Sequence, residues 1–132
     1  MMHILLADHH PNALWGLKML LQEEPGLEVI GEAVDGESLM CMSEKFHPDL
    51  ILMDSDLPGG LVEDQIAALH QIKPRPLVIV MSSDPGCSRI SLKAGADAFV
   101  SKGDQPDWLL QILRNYQKRA LQKEDPIQNN RP

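Results

Sequence analysis

The sequence predicts an α/β protein in which helices cover both faces of a five-stranded parallel sheet. Two observations lead to this prediction. Short apolar runs alternate with amphipathic stretches along the chain, in a strand–helix order that repeats five times. These runs show little alternation between apolar and polar residues, which indicates strands buried on both faces. Right-handed crossovers between such strands give a doubly wound, three-layer α/β/α fold.

The predicted strands are short, and several end in polar residues. We place them at residues 3–8, 27–34, 50–53, 77–81 and 96–101. The third run, LILM, stops at Asp54, and a Pro-Gly-Gly turn follows at residues 58–60. The carboxyl ends of parallel strands are where ligands and chemistry collect in open sheets. Asp54 is therefore a candidate reactive or ligand-binding carboxylate, and the alternative is that it only caps the turn.

Proline and glycine mark most of the predicted helix ends. The first helix opens at Pro11 and stops before Pro25, and the last opens at Pro106. The second covers residues 37–46, the third lies around 62–69, and a short fourth covers 88–94.

Apolar residues three and four apart give the helices their inner faces. The second helix carries the apolar residues Leu39, Met40, Met42 and Phe46. In the last helix the inner face is predicted to be Trp108, Leu109, Ile112, Leu113 and Tyr116. Beyond residue 121 the composition turns polar, so we predict one domain at 1–121 and a polar tail or linker stub at 122–132.

Composition narrows the class of protein. The formal net charge of −7 argues against direct contact with nucleic acid, which requires clustered Lys and Arg. Two cysteines, Cys41 and Cys87, fit reduced thiols rather than a disulfide framework. We see no signal-peptide pattern and no apolar run of membrane length, so we expect a cytoplasmic protein without membrane contact.

Five strands of this kind fit the sheet order 2-1-3-4-5. In that order the first and third strands are neighbours, which brings Asp8 and His9 beside Asp54. Ser82 and Lys102 follow the fourth and fifth strands and line the same rim.

Four motifs at those strand ends carry a family resemblance: ILLADHHP, PDLILMDSDLPGG, VIVMSS and GADAFVSKG. From residue 3 to 121 the chain resembles a receiver domain of the two-component response regulators, of the NarL/FixJ type, whose fold is flavodoxin-like (CheY-like). The resemblance implies that Asp54 is the phosphoryl acceptor, Ser82 the switch hydroxyl, Lys102 the family's lysine and Phe99 the aromatic switch position. It also implies a Mg²⁺ site formed by Asp8, Asp54 and the backbone carbonyl of Asp56.

The chemistry supports these roles independently. A carboxylate that attacks phosphorus needs its own charge and the phosphoryl charge neutralised, which a divalent metal and an ammonium group can do. Phosphorylation would then pull Ser82 inward and let Phe99 follow, moving the face of the fourth helix and fifth strand. The expected partner is a sensor histidine kinase, and the only expected catalysis is slow self-phosphorylation and self-dephosphorylation.

His9 departs from the resemblance, because the family usually has a second acid there that ligates Mg²⁺. Magnesium prefers oxygen ligands, so an imidazole should weaken its binding. The alternatives are that His9 favours Mn²⁺, Zn²⁺ or another softer metal, or that the Asp56 carboxylate turns inward as a replacement. We interpret His10 as structural.

The sequence leaves two other functions open. A receiver that has lost phosphorylation would act as a protein-interaction module. A haloacid-dehalogenase-type phosphatase would use similar aspartyl-phosphate chemistry, but its acidic motif normally lies on the first strand. Receivers of this type usually precede a DNA-binding output domain and regulate transcription, so an output domain or partner protein and a homodimer are further expectations.

Overall fold

The computed structural model describes residues 1–124, with side chains described through residue 120. Its ten elements follow the predicted order: β1 Met2–Ala7, α1 Pro11–Gln22, β2 Leu27–Ala33, α2 Gly36–Phe46, β3 Leu50–Asp54, α3 Val62–Leu69, β4 Leu77–Ser82, α4 Cys87–Lys93, β5 Ala98–Ser101 and α5 Pro106–Glu124. The five strands form one parallel sheet in the order β2-β1-β3-β4-β5. The predicted fold class and strand order are confirmed.

The register of the sheet aligns the carboxyl ends of its strands. Ala7 of β1 pairs with Met53 of β3, so Asp8 and Asp54 leave the sheet side by side. On the other side of β3, Asp54 pairs with Met81, one residue before Ser82. Four of the predicted site residues, counting Lys102 just after β5, therefore share one edge of the sheet.

The apolar strands divide their side chains between two cores. Ile51 and Met53 belong to the core beneath α2 and α3, whereas Leu50 and Leu52 belong to the core beneath α1 and α5. All four are almost completely buried. Both faces of β3 are thus covered, which explains why its sequence shows no alternation. Truncating such a leucine to alanine typically costs about 2–5 kcal/mol.

The loop after β3 is anchored to two helices. Gly59 has φ +114°, and a Cβ there would lie 2.9 Å from the backbone nitrogen of Gly36, the first residue of α2. The buried Gln65 of α3 donates from Nε2 to the carbonyls of Leu57 and Gly60, at 3.2 and 3.1 Å. Glycine at 59 therefore allows the close backbone approach that fixes the loop following Asp54.

Two aromatic residues of the helices are exposed, and one of them was predicted to lie on an inner face. Trp108, predicted on the inner face of α5, is 51% exposed, because it lies in the first turn at the margin of a stripe centred on Leu109 and Leu113. Phe46 is the last residue of α2 and is 46% exposed. The Nζ of Lys45 lies 5.4 Å from its ring centroid, a cation–π distance.

The chain's end and its cysteines bear on two further predictions. Helix α5 runs to Glu124, and the predicted tail beyond it lies outside the described residues, so a domain boundary at residue 121 stays a prediction. Cys41 and Cys87 are both free thiols, as predicted. Within residues 1–124, every helix is too short or too polar to cross a bilayer.

Candidate functional site

Two buried carboxylates form the floor of the candidate site. Asp8 and Asp54 are only 2% and 4% exposed. Their backbones are held from both sides: the Asp8 amide donates to Ala33 O at 3.0 Å, and the Ser55 amide donates to Met81 O at 2.9 Å. The two acids therefore have little freedom to move apart.

Lys102 approaches this floor from the end of β5. Its Nζ lies 2.7 Å from Asp8 Oδ2 and 3.5 Å from Asp54 Oδ1. Its amide donates to Ser82 O at 2.8 Å, which fixes where the side chain starts. The ammonium is thus hydrogen-bonded to Asp8 and only close to Asp54.

The pKa of the Asp8 carboxyl reflects these neighbours. Burial acts to raise this pKa, because it penalises the charged form. The hydrogen bond from Lys102, the backbone amide of His10 and the charge of Lys102 together outweigh burial. The pKa of Asp8 therefore lies below its ordinary value, and the group is a carboxylate at neutral pH.

Two adjacent imidazoles cover the same carboxylates. His10 donates its backbone amide to Asp8 Oδ1 at 2.9 Å, and its Nδ1 lies 3.0 Å from the same oxygen. The Nδ1 atoms of His9 and His10 each lie 3.6 Å from Asp54 Oδ2. Sequence reasoning gave His10 a structural role, yet the structure places its ring over both acids.

The placement of His10 has a local cause. Pro11 is the first residue of α1, and His10 precedes it as an extended N-cap residue with φ −96° and ψ 113°. That conformation turns the His10 amide and ring toward Asp8. The sequence signal for this arrangement is the HHP tripeptide directly after a strand-end acid.

One oxygen of this cluster lacks a hydrogen-bond donor among the described residues. Asp54 Oδ2 is buried and accepts no hydrogen bond from the described residues. One ligand atom each from Asp8, His9, His10 and Asp54 lies within 4.8 Å of all the others. A buried carboxylate oxygen without a donor is costly unless a cation satisfies it, so this donor set fits a divalent metal ion.

The remaining predicted site residues lie around this cluster. Ser82 is 1% exposed, and its Oγ accepts a hydrogen bond from the Asp84 amide at 3.0 Å. Phe99 of β5 is partly buried and packs against the core beneath α2 and α3. Asp56 is exposed, and its carboxylate is not among the clustered ligand atoms, so its role as an inward replacement stays a prediction.

A family model and two known proteins each match most of this chain. The family model described as response regulator receiver domain matches residues 4–114. The nitrate/nitrite response regulator protein NarL of Escherichia coli is 35% identical over 112 residues, which cover 83% of this chain and 52% of that protein. NarP of the same organism is 30% identical over 113 residues, covering 84% of this chain and 53% of that protein. The chain therefore spans about half the length of these relatives.

Solved structures show the same likeness in three dimensions. A LuxR-family two-component response regulator from Aurantimonas sp. superimposes with a TM-score of 0.80 at 25% identity, covering 86% of this chain and 83% of that one. The isolated REC domain of RcsB from Salmonella enterica serovar Typhimurium, solved in the presence of phosphomimetic BeF3−, gives a TM-score of 0.81 at 25% identity. That match covers 89% of this chain and 88% of the RcsB domain.

Proposed function

The chain belongs to the response regulator receiver domain family, and we propose that it accepts a phosphoryl group on Asp54 from a sensor histidine kinase. The observation that supports this most directly is the Asp54 carboxylate itself. It is buried at the carboxyl end of the central strand and lies 3.5 Å from an ammonium, and one of its oxygens accepts no hydrogen bond from the residues that the structure describes. A nucleophile for phosphorus needs a free lone pair and nearby positive charge.

In the proposed step an Asp54 oxygen attacks the phosphorus of the donor. A P–O bond to Asp54 forms while the P–N bond to the donor histidine breaks, and the electron pair of that bond leaves with the imidazole nitrogen. Lys102 would shift by a small distance from Asp8 toward a phosphoryl oxygen. Ser82 Oγ, which now accepts from the Asp84 amide, would donate its own proton to another phosphoryl oxygen.

Receiver domains of this family bind Mg²⁺. In this chain Asp8 and Asp54 would hold a divalent ion, with the Asp56 carbonyl and His9 as the other proposed ligands. Such an ion supplies neutralising charge to the carboxylate and the phosphoryl group.

We propose that phosphorylation is read out on the face formed by α4 and β5. Drawing Ser82 toward the phosphoryl group would free space beside the partly buried ring of Phe99. Phe99 pairs in the sheet with Val80, two residues before Ser82, so the two sites are coupled through β4. Helix α4 has only seven residues and offers little resistance to movement.

The wider setting of this domain is also a proposal. NarL and NarP are named as response regulators, and one RcsB structure is a complex with DNA. An output domain or partner protein that regulates transcription would fit, as would a homodimer and a cytoplasmic location. Self-phosphorylation and slow self-dephosphorylation would be the only catalysis. The receiver match over residues 4–114 argues against the phosphatase alternative.

One observation favours a second candidate, an interaction module that works without phosphorylation. His9 and His10 both lie 3.6 Å from the free oxygen of Asp54, so two imidazoles stand where a donor must approach. Intact-mass analysis after incubation with acetyl phosphate separates the two functions. We would run it with Mg²⁺ and with Mn²⁺ on the wild type, Asp54→Asn and the control Asp56→Asn.

A phosphoryl adduct on the wild type and on Asp56→Asn, absent from Asp54→Asn, is the expected result. Circular dichroism would establish that each variant is folded. If the folded wild type forms no adduct with either metal, Asp54 is not an acceptor and the interaction module becomes the better description.

A further inference from the structure

The four carboxylate oxygens of the site divide into two pairs. Asp8 Oδ2 and Asp54 Oδ1 face Lys102, at 2.7 and 3.5 Å from its Nζ. Asp8 Oδ1 and Asp54 Oδ2 face the imidazoles instead. The side away from the lysine therefore presents two oxygens and two nitrogens to one another.

Three of the distances among these four donors match the edges of a metal coordination shell. Ligands at about 2.0–2.2 Å from a metal lie about 3.3–3.6 Å apart at tetrahedral angles and about 3.0 Å apart at right angles. Asp54 Oδ2 lies 3.6 Å from each of the two Nδ1 atoms, and Asp8 Oδ1 lies 3.0 Å from that of His10. A cation could enter with small side-chain adjustments.

The buried charge provides a second, independent indication. The side chains of Asp8 and Asp54 are each 3% exposed, and the single ammonium of Lys102 balances only one of their two charges. On the imidazole side, Asp54 Oδ2 has no hydrogen-bond partner among the described residues. A cation on that side would satisfy this oxygen and complete the charge balance.

The donor types distinguish between metals. Magnesium is a hard ion that requires oxygen ligands and usually keeps several waters, and the two imidazoles take up that space. Zinc and cobalt accept imidazole and carboxylate together, typically with four ligands. The imidazoles are 35% and 54% exposed, so an ion can reach the buried acids from solvent.

We propose that Asp8, His9, His10 and Asp54 form a site for a transition-metal ion of the Zn²⁺ class, which it binds in preference to Mg²⁺. The inference rests on the proposed function, because it names the metal that would occupy the phosphoacceptor pocket. It differs from the simple Mg²⁺ site in that His10 is a direct ligand.

The test measures metal binding without any phosphoryl donor. Tag-free, chelator-stripped protein is titrated calorimetrically with Zn²⁺ and with Mg²⁺, and Co²⁺ binding is followed by its visible absorption. The variants are His9→Gln and His10→Gln. His3→Gln is the matched control, since His3 lies near the other end of β1, beside Glu28 and Asp49.

We expect Zn²⁺ to bind at least about a hundredfold more tightly than Mg²⁺, and each pocket variant to weaken Zn²⁺ binding at least about tenfold. The control should change Zn²⁺ binding less than about twofold. The Co²⁺ bands of the wild type should weaken or shift in both pocket variants.

Equal affinity for Mg²⁺ and Zn²⁺, or Zn²⁺ binding unchanged in both pocket variants, would overturn the proposal. Its failure is distinguishable from failure of the phosphoacceptor role. An adduct on Asp54 in protein that does not bind Zn²⁺ removes only the metal proposal. Zn²⁺ binding in protein that forms no adduct removes only the phosphoacceptor proposal.

Discussion

Replacing Lys102 with methionine tests how the buried acids are held together. The substitution keeps most of the side-chain volume and removes the ammonium from 2.7 Å of Asp8 and 3.5 Å of Asp54. Two carboxylates would then share a buried pocket without a cation. We expect Lys102→Met to lower the free energy of unfolding strongly at neutral pH and much less in mild acid.

The magnitude follows from two estimates. The ammonium of Lys102 lies 2.7 Å from Asp8 and 3.5 Å from Asp54. With an effective dielectric constant of about 20, these two attractions are worth about 6 and 5 kcal/mol, before the cost of desolvating Lys102 is subtracted. The variant can limit its loss by protonating one carboxyl group, which costs about 4 kcal/mol at pH 7 from an ordinary pKa of about 3.9. We therefore expect a loss of about 3–4 kcal/mol at pH 7.

The pH dependence gives the sharper test. In the wild type the pKa of Asp8 is depressed. The Asp8 carboxylate therefore stabilises the fold fully above the ordinary aspartate pKa, and this stabilisation is lost only as the pH falls below that value. In Lys102→Met the carboxyl pKa rises, and the folded variant takes up a proton as the pH falls. At pH 5 the cost of that proton is about 1.5 kcal/mol, so the deficit should shrink to about that value.

Urea unfolding at pH 7 and pH 5, with a chelator present, measures both quantities. Lys18→Met is the matched control, because Lys18 pairs with Glu32 at 3.2 Å on the surface, with side chains 41% and 36% exposed. The control should lose less than about 1 kcal/mol at both pH values. If Lys102→Met behaves like Lys18→Met, or loses the same amount at both pH values, the ammonium of Lys102 does not hold the two acids together by neutralising their charge.

Three further predictions concern other parts of the fold. Gly59→Ala should lower the free energy of unfolding, measured with urea, by at least about 1–3 kcal/mol. The φ angle of residue 59 is +114°, and the new Cβ would lie 2.9 Å from the backbone nitrogen of Gly36. Gly16→Ala in α1 should instead raise the free energy of unfolding by about 0.5–1 kcal/mol, because its new Cβ would meet no described atom within 4 Å. A change of the same sign in the two glycine variants would contradict this reasoning. Burial lowers the pKa of His70, and the charge of a nearby arginine lowers it further. Just below the ordinary histidine pKa, only the unfolded state therefore takes up a proton at this residue. The wild type should therefore lose more stability than His70→Gln between pH 7.5 and 5.5, and equal losses would argue against that pKa shift. Ser82→Ala should lower the free energy of unfolding by about 1 kcal/mol, because the Asp84 amide loses its acceptor. It should also slow formation of the phosphoryl adduct, as followed by mass spectrometry, and an unchanged rate would remove the serine from the proposed mechanism.

Local sequence patterns were enough to predict the sheet and the edge where the site lies. The LILM run predicted a strand covered on both faces, and β3 is buried throughout. Proline at residues 11 and 106 marked the first residues of α1 and α5. These features depend on hydrophobic burial and backbone sterics, which act over a few residues and can be read in order along the chain.

Other features depended on how distant segments meet. Trp108 has the spacing of an inner residue, but the packing of α5 leaves it 51% exposed. No local pattern indicates which carboxylate Lys102 approaches, since that depends on the positions of β1, β3 and β5 together.

The sequence by itself determined that acids, a serine and a lysine would share one edge of a parallel sheet, because the carboxyl ends of parallel strands all lie at the same edge. Only the tertiary structure decided what each group touches. Lys102 is hydrogen-bonded to Asp8 Oδ2, the two imidazoles face Asp54 Oδ2, and that Asp54 oxygen has no hydrogen-bond partner among the described residues. These contacts form at distances of about 3 Å, and they depend on hydrogen-bond geometry and on the balance of buried charge. The sequence predicts only that the side chains lie near one another.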